Sequence, residues 1–185
     1  RLTPAASRRL GRGPRRLLTP DELPEAFEET QRQLGGARDR DTVGRALLSL
    51  AEQLFERTAL LAVLKDHVEG WMADPQADSV RFERFRVPLD RPSVFLNLKT
   101  GIPYHLGPLP DSPIHRSLVR CWDGEMPAGA LLVPVRLSGR LAAVLYGDRR
   151  GEALGWVPTD RFQTLAEHAA RALERCILLK KKNLG

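Results

Sequence analysis

The sequence is poor in cysteine, methionine and aromatic residues, and it has no long apolar run. Two cysteines, Cys121 and Cys176, match no metal-ligand spacing and supply no disulfide framework, so a reduced, cytoplasmic setting is the expectation. No segment approaches the roughly 18 to 20 apolar residues that cross a bilayer, so no membrane span is expected. No apolar stretch follows the basic start, which excludes a signal-peptide pattern. The chain opens on Arg1 rather than Met, which fits a piece of a longer protein. Lysine is scarce as well. Of the 29 basic residues 24 are arginine, a bias that follows a GC-rich, bacterial-type genome rather than a binding function.

Acid is missing from the first 19 residues, which hold six arginines (Arg1, Arg8, Arg9, Arg12, Arg15, Arg16). The rest of the chain balances at 23 basic and 23 acidic residues, so the net charge of +6 belongs to the start of the chain. A neutral body argues against a basic nucleic-acid face. Residues 1–18 mix Arg, Gly, Pro and Ala without periodicity and read as a solvated, Arg-rich linker. Residues 19–182 read as one domain, with its core over 41–179.

What is present is organised around Ala130 to Asp148. Leu131, Leu132, Val133, Val135 and Leu137 form one strand-like run, and Leu141 to Tyr146 a second, split by Ser138-Gly139-Arg140. That is a β-hairpin pattern, apolar enough for central strands covered on both faces. Pro134 cannot donate to a ladder, so a bulge or an unpaired side is expected there. Upstream, Thr19-Pro20-Asp21-Glu22 predicts a helix start, with Leu23, Ala26, Phe27 and Leu34 as a thin stripe that finds its cover on a partner, ending at Gly35-Gly36. A second helix follows Asp39 or Asp41, with Val43, Ala46, Leu47, Leu50, Ala51, Leu54 and Phe55 facing the core. Thr58 to Leu64 and Val68 to Met72 make a first hairpin. Val80 and Phe82 slip in phase against Phe85, Val87 and Leu89, which a bulge or a helical turn would explain. Ser93 caps a short helix from Val94 to Lys99, Pro103 to Gly107 is extended, and Ser112-Pro113 opens another helix. The last helix begins at Thr159 or Asp160 and carries Phe162, Leu165, Ala166, Ala169, Leu173, Cys176, Ile177 and Leu179 on a long stripe, with basic residues at its end.

This order predicts an α+β sandwich: an antiparallel sheet of five to six strands, the terminal helices on one face and the irregular middle on the other. With VPV in the first strand of the hairpin, AVLYGD closing the second, the Phe162-to-Leu173 helix, and VPLDRPSVFLNLKTGIPY before them, the chain resembles the GAF domain family over roughly Asp41 to Leu179. The resemblance implies a regulatory module of a signalling protein, a homodimer formed through the terminal helices, and a pocket between the sheet and the middle segment that takes a small molecule in some members. Contact with a protein partner in a signalling pathway is expected on the same ground. The alternative is the ligand-binding effector domain of a transcriptional regulator, with residues 1–18 as its linker.

Subfamily signatures are missing. Cys121 is followed by Trp122 rather than by the His of bilin attachment, and the spaced Asn-Lys, Phe and Asp-Glu signature of cyclic-nucleotide binders is not found. Methionine-sulfoxide reduction needs several placed cysteines. His67, His105, His115 and His168 are scattered and read as solvated or structural. No acid–base pair, nucleophile or metal set emerges, so no catalytic residue, metal or cofactor is expected. The candidate pocket residues are Trp71, Phe95, Tyr104, His105, Trp122 and Tyr146, an apolar lining with a few polar groups.

Overall fold

The structure, a computed structural model, describes residues 16–183. The expected linker lies outside the described residues up to residue 15. By Leu18 the chain already belongs to the body. The Leu18 amide donates to the Gln53 carbonyl at 2.8 Å, and its side chain packs on the core.

The first helix starts later than the sequence suggests. The Thr19 amide and hydroxyl both donate to the Glu22 carboxylate, at 2.8 and 3.0 Å. These bonds close residues 19–22 into a turn, and α1 (Leu23–Gly36) follows with Pro24 in its first turn. Helix α2 (Arg40–Ala51) begins as expected, capped by Asp39, which accepts from the Thr42 amide at 2.7 Å. It stops at Ala51, and Leu54 and Phe55 reach the core from the turn beyond it.

The chain then forms β1 (Arg57–Val63), β2 (His67–Ala73), α3 (Ser79–Glu83), β3 (Arg86–Pro88), α4 (Val94–Lys99), β4 (His105–Gly107), α5 (Pro113–Val119), β5 (Ala130–Leu137), β6 (Arg140–Asp148) and α6 (Thr159–Lys182). The phase slip near Phe82 is a helix. Asp78 caps it, Phe82 turns inward, and β3 starts after it. Ser93 and Ser112 cap α4 and α5 as the sequence indicates.

All strand pairs are antiparallel, in the order β3-β2-β1-β6-β5-β4. The β5–β6 hairpin lies inside the layer, with β6 in the central β1–β6 pair and β5 next to the edge strand β4. Both edge strands are only three residues long, which limits edge-to-edge pairing. Pro134 stays in register opposite Val144. The irregularity falls one residue later, between Val135 and Arg136. Because β4 pairs with β5 only from Ala130 to Leu132, Pro134 lies past the covered part of that side.

Helices α1, α2 and α6 cover one face of the sheet, burying Phe27, Leu47, Phe55, Leu60, Leu145 and Phe162. Helix α1 therefore finds its cover within its own chain, not on a partner. Phe27 meets Phe162 edge-on at 5.0 Å, and Arg175 donates to the Leu34 carbonyl at 2.8 Å. Gly147 lets the Phe55 ring lie flat on β6, since a Cβ there would sit 2.6 Å from Phe55 Cγ. Helices α3, α4 and α5 cover the other face over Phe95, Leu98, Leu118, Leu132, Val144 and Tyr146.

Candidate functional site

The six aromatic and histidine residues singled out in the sequence fall on both faces of the sheet. On the α3–α5 face, Phe95 is wholly buried and stacks with His115 at 6.2 Å, while Trp122 stacks on Tyr146 at 5.9 Å. Tyr104 packs on the opposite cluster, and His105 Nε2 lies 3.1 Å from the Gly107 and Pro108 carbonyls. Trp71 is on the helix face. Only Trp122 and Tyr146 come together. Where the resemblance implies a pocket between sheet and middle segment, Phe95 and Tyr146 are buried in the core and Trp122 packs against it.

His115 shows how that core is locked. Its Nε2 accepts from the Val94 amide at 3.2 Å, so the ring proton belongs on Nδ1, 2.8 Å from Ser112 Oγ. One neutral imidazole thus ties the starts of α4 and α5 together. Burial holds its pKa below the ordinary histidine value.

The end of this face carries a buried ionic knot. Arg57 and Asp148 are register partners on β1 and β6, and both are inaccessible to solvent. Arg57 Nε donates to the Asp148 carboxylate at 2.9 and 3.1 Å. Its Nη1 reaches Asp123 at 2.8 Å and the Glu125 carbonyl at 2.9 Å. Burial opposes the charge on Arg57, but Asp148 outweighs it and raises the guanidinium pKa. The Tyr146 hydroxyl donates to Asp148, and burial first, then that carboxylate, pushes its pKa well up. Next to it, Asp74 accepts from the Thr58 amide at 2.8 Å and from Trp122 Nε1 at 3.0 Å. These bonds fasten the β2–α3 and α5–β5 connections to the central strands.

An open groove of about 810 Å³ lies on the helix face, at the other end of the sheet. Its floor is the cross-strand pair Ala62–Ala143, the next pair on that face after Leu60–Leu145. Two alanines where the neighbouring pair has two leucines leave the sheet hollow beneath α6. One wall is Leu173, Cys176 and Ile177 of α6; the other is Trp71 with the start of α2. Gly44 on α2 admits the Trp71 indole, because a Cβ there would lie 2.9 Å from its Cζ2. Arg40 stacks over the Trp71 ring at 4.4 Å, and Trp71 Nε1 is buried without a hydrogen-bond partner. Arg38, Asp39, Asp41, Glu69, Lys180 and Asn183 are the polar part of the lining, and Leu137 and Leu179 add to its apolar part.

Sequence reasoning reached Trp71 but not the rest of this groove. Ala62 and Ala143 are ordinary strand residues until the register sets them opposite each other. Arg57 and Asp148 were equally hidden, although each bounds an apolar strand, which is where a charged residue can still be held. Both cysteines are buried. Cys121 and Cys176 sit in cores on opposite faces, and burial pushes the Cys121 thiol up to about 11 and the Cys176 thiol above its usual value.

No family model matches the chain, and no curated protein matches it by sequence. Solved structures do. A methyl-accepting chemotaxis protein fragment, residues 122 to 287, aligns with a TM-score of 0.65 at 21% identity, covering 83% of this chain and 99% of that one. The GAF domain of a phosphoenolpyruvate-protein phosphotransferase from Coxiella burnetii aligns at 0.64 and 15% identity, covering 85% and 96%. This is a GAF-like fold. The free methionine-R-sulfoxide reductase of Neisseria meningitidis shares it, at a TM-score of 0.63 and 16% identity over 88% of this chain and 96% of that one. The GAF-like fold accounts for the central β1–β6 pair, the short edges and the segregation of terminal helices to one face. Among the described residues, no helix is long and apolar enough to cross a membrane.

Proposed function

We propose that this chain is a non-enzymatic, GAF-like regulatory module of a larger cytoplasmic signalling protein, working as a homodimer through α6 and by contact with a protein partner. The observation that carries the reading is the end of α6. Ile177, Leu178 and Leu179 are successive apolar residues at 46%, 59% and 43% exposure, on a helix whose earlier turns bury Phe162, Leu165, Ala169 and Leu173. An apolar helix end of this kind is stabilised when a second surface covers it. Ile177 and Leu179 also line the groove on the helix face, while Leu178 is not part of that lining, so Leu178 is the residue offered to a second helix. The likeness to a chemotaxis protein fragment is consistent with signalling.

Light scattering on the chain tests the reading. The expected result is a dimer that Leu178→Glu converts to a monomer with an unchanged circular dichroism spectrum. A wild-type chain that stays monomeric at high concentration would refute it.

A further inference from the structure

We propose that the groove between the last turns of α6 and the Ala62–Ala143 floor is a binding site for an amphiphilic carboxylate, an alkyl chain ending in a single anionic head. This goes beyond the dimer reading and does not depend on it, because the groove is lined by Ile177 and Leu179 and not by Leu178, the residue that tests the dimer.

Three features select this ligand. The first is size: about 810 Å³ falls in the range of small-molecule sites. The second is the lining. Leu173, Cys176, Ile177 and Leu137 surround an alanine floor, so the body of the ligand must be apolar. The third is the state of the polar groups at the rim. Asp39 is taken up by the Thr42 amide and hydroxyl, at 2.7 and 2.8 Å. Glu69 is taken up by Arg86 at 3.1 Å and His67 at 3.2 Å. Asp41 is then the lining carboxylate without such a partner among the described residues. Against it stand Arg38, Arg40 and Lys180, none of which has an acidic partner among the described residues. The Trp71 indole N–H is a buried donor with nothing to donate to. Three rim cations thus face one uncommitted carboxylate, so the head that fits must carry negative charge and accept hydrogen bonds. Arg40 lies on the Trp71 ring, which brings a cation and the orphan donor to one place.

Such a ligand would fill the hollow under the end of α6 and connect that helix to α2 and the central strands. It would therefore hold the segment on whose outer side the dimer contact is proposed.

Calorimetric titration of the whole chain with octanoate, decanoate and dodecanoate, each below its micelle concentration, tests the proposal. One ligand per chain is expected, with affinity rising about fourfold for each added methylene that the groove buries. Decan-1-ol and decylamine should bind at least tenfold more weakly than decanoate. Ala143→Leu should abolish binding by raising the floor. Arg40→Gln with Lys180→Gln, a pair of rim substitutions, should weaken decanoate about tenfold and leave decan-1-ol unchanged. Leu178→Glu should bind decanoate like the wild type, so that failure of the dimer reading and failure of this one are distinguishable. Absence of decanoate binding, equal binding of decylamine, or retention in both the Ala143→Leu and rim variants would overturn the proposal. Binding that appears only when a dimer is diluted to monomer would overturn it too, and would make a second copy of the chain the occupant.

Discussion

Removing the guanidinium at the centre of the ionic knot, by Arg57→Met, gives the sharpest stability prediction. Methionine keeps much of the apolar stem but leaves the Asp148 carboxylate in a site with no solvent exposure. What remains to Asp148 is the Tyr146 hydroxyl and the Arg150 amide at 2.7 Å. Asp123 loses one partner but keeps Arg150, and the Glu125 carbonyl loses its contact at 2.9 Å. Breaking a buried pair from one side costs about 3–5 kcal/mol. A domain of this kind has about 5–15 kcal/mol in total, so the loss is a large share of it. Thermal unfolding should fall by roughly 6–20 °C, at about 2–4 °C per kcal/mol for a chain of this size. Urea unfolding followed by circular dichroism and tryptophan fluorescence measures the change directly. The double variant Arg57→Met with Asp148→Leu supplies the second arm. Replacing both charges by apolar groups should recover more than half of the loss, because the single variant's penalty is the stranded carboxylate. A single variant within about 1 kcal/mol of wild type, or a double variant that merely sums the two single losses, would refute the reasoning.

Gly147→Ala should destabilise by about 1–3 kcal/mol, because its Cβ would press on the Phe55 ring; Phe55→Leu in the same chain should relieve part of the cost, and urea midpoints decide it. Ser93→Ala should cost about 1 kcal/mol, since Ser93 Oγ accepts from the Leu96 amide at the start of a buried helix, and thermal melts report the loss. Acid should weaken the fold through His115. Its folded pKa is depressed, so the unfolded chain binds the proton more readily. Stability from this group is therefore full above the unfolded value of about 6.5 and is lost as pH falls below it. Comparing wild type with His115→Gln between pH 7.5 and 5 should show a smaller acid loss in the variant, and equal losses would contradict the assignment.

Local order was legible in the sequence because it rests on local chemistry. The apolar runs on either side of Gly139 are strands, Ser93, Ser112 and Asp39 cap the helices they precede, and α6 follows its stripe from Phe162. Thr19 misled because its hydrogen bonds to Glu22 imitate a helix cap while closing a separate turn. The candidate pocket failed to assemble for a different reason. Trp71, on β2, packs on the helix face, whereas Trp122, in the turn after α5, packs on the other, and no local pattern in the sequence fixes the second placement. Arg57 and Asp148 are 91 residues apart, and only the β1–β6 register makes them neighbours. The groove depends on that register as well, since its depth comes from two alanines meeting across strands under α6.

The claim that this module works as a pair of chains joined along the outer side of α6 is tested most directly by oxidative cross-linking of Leu178→Cys. Disulfide formation needs Cα atoms within roughly 7 Å of each other, so it reports contact at that residue rather than association in general. The native Cys121 and Cys176 are buried and give a low background. The account predicts rapid, nearly complete formation of a covalent dimer, with Ile102→Cys, also exposed but in the turn after α4, remaining uncross-linked. A Leu178→Cys chain that stays monomeric, or cross-links no faster than Ile102→Cys, would contradict it.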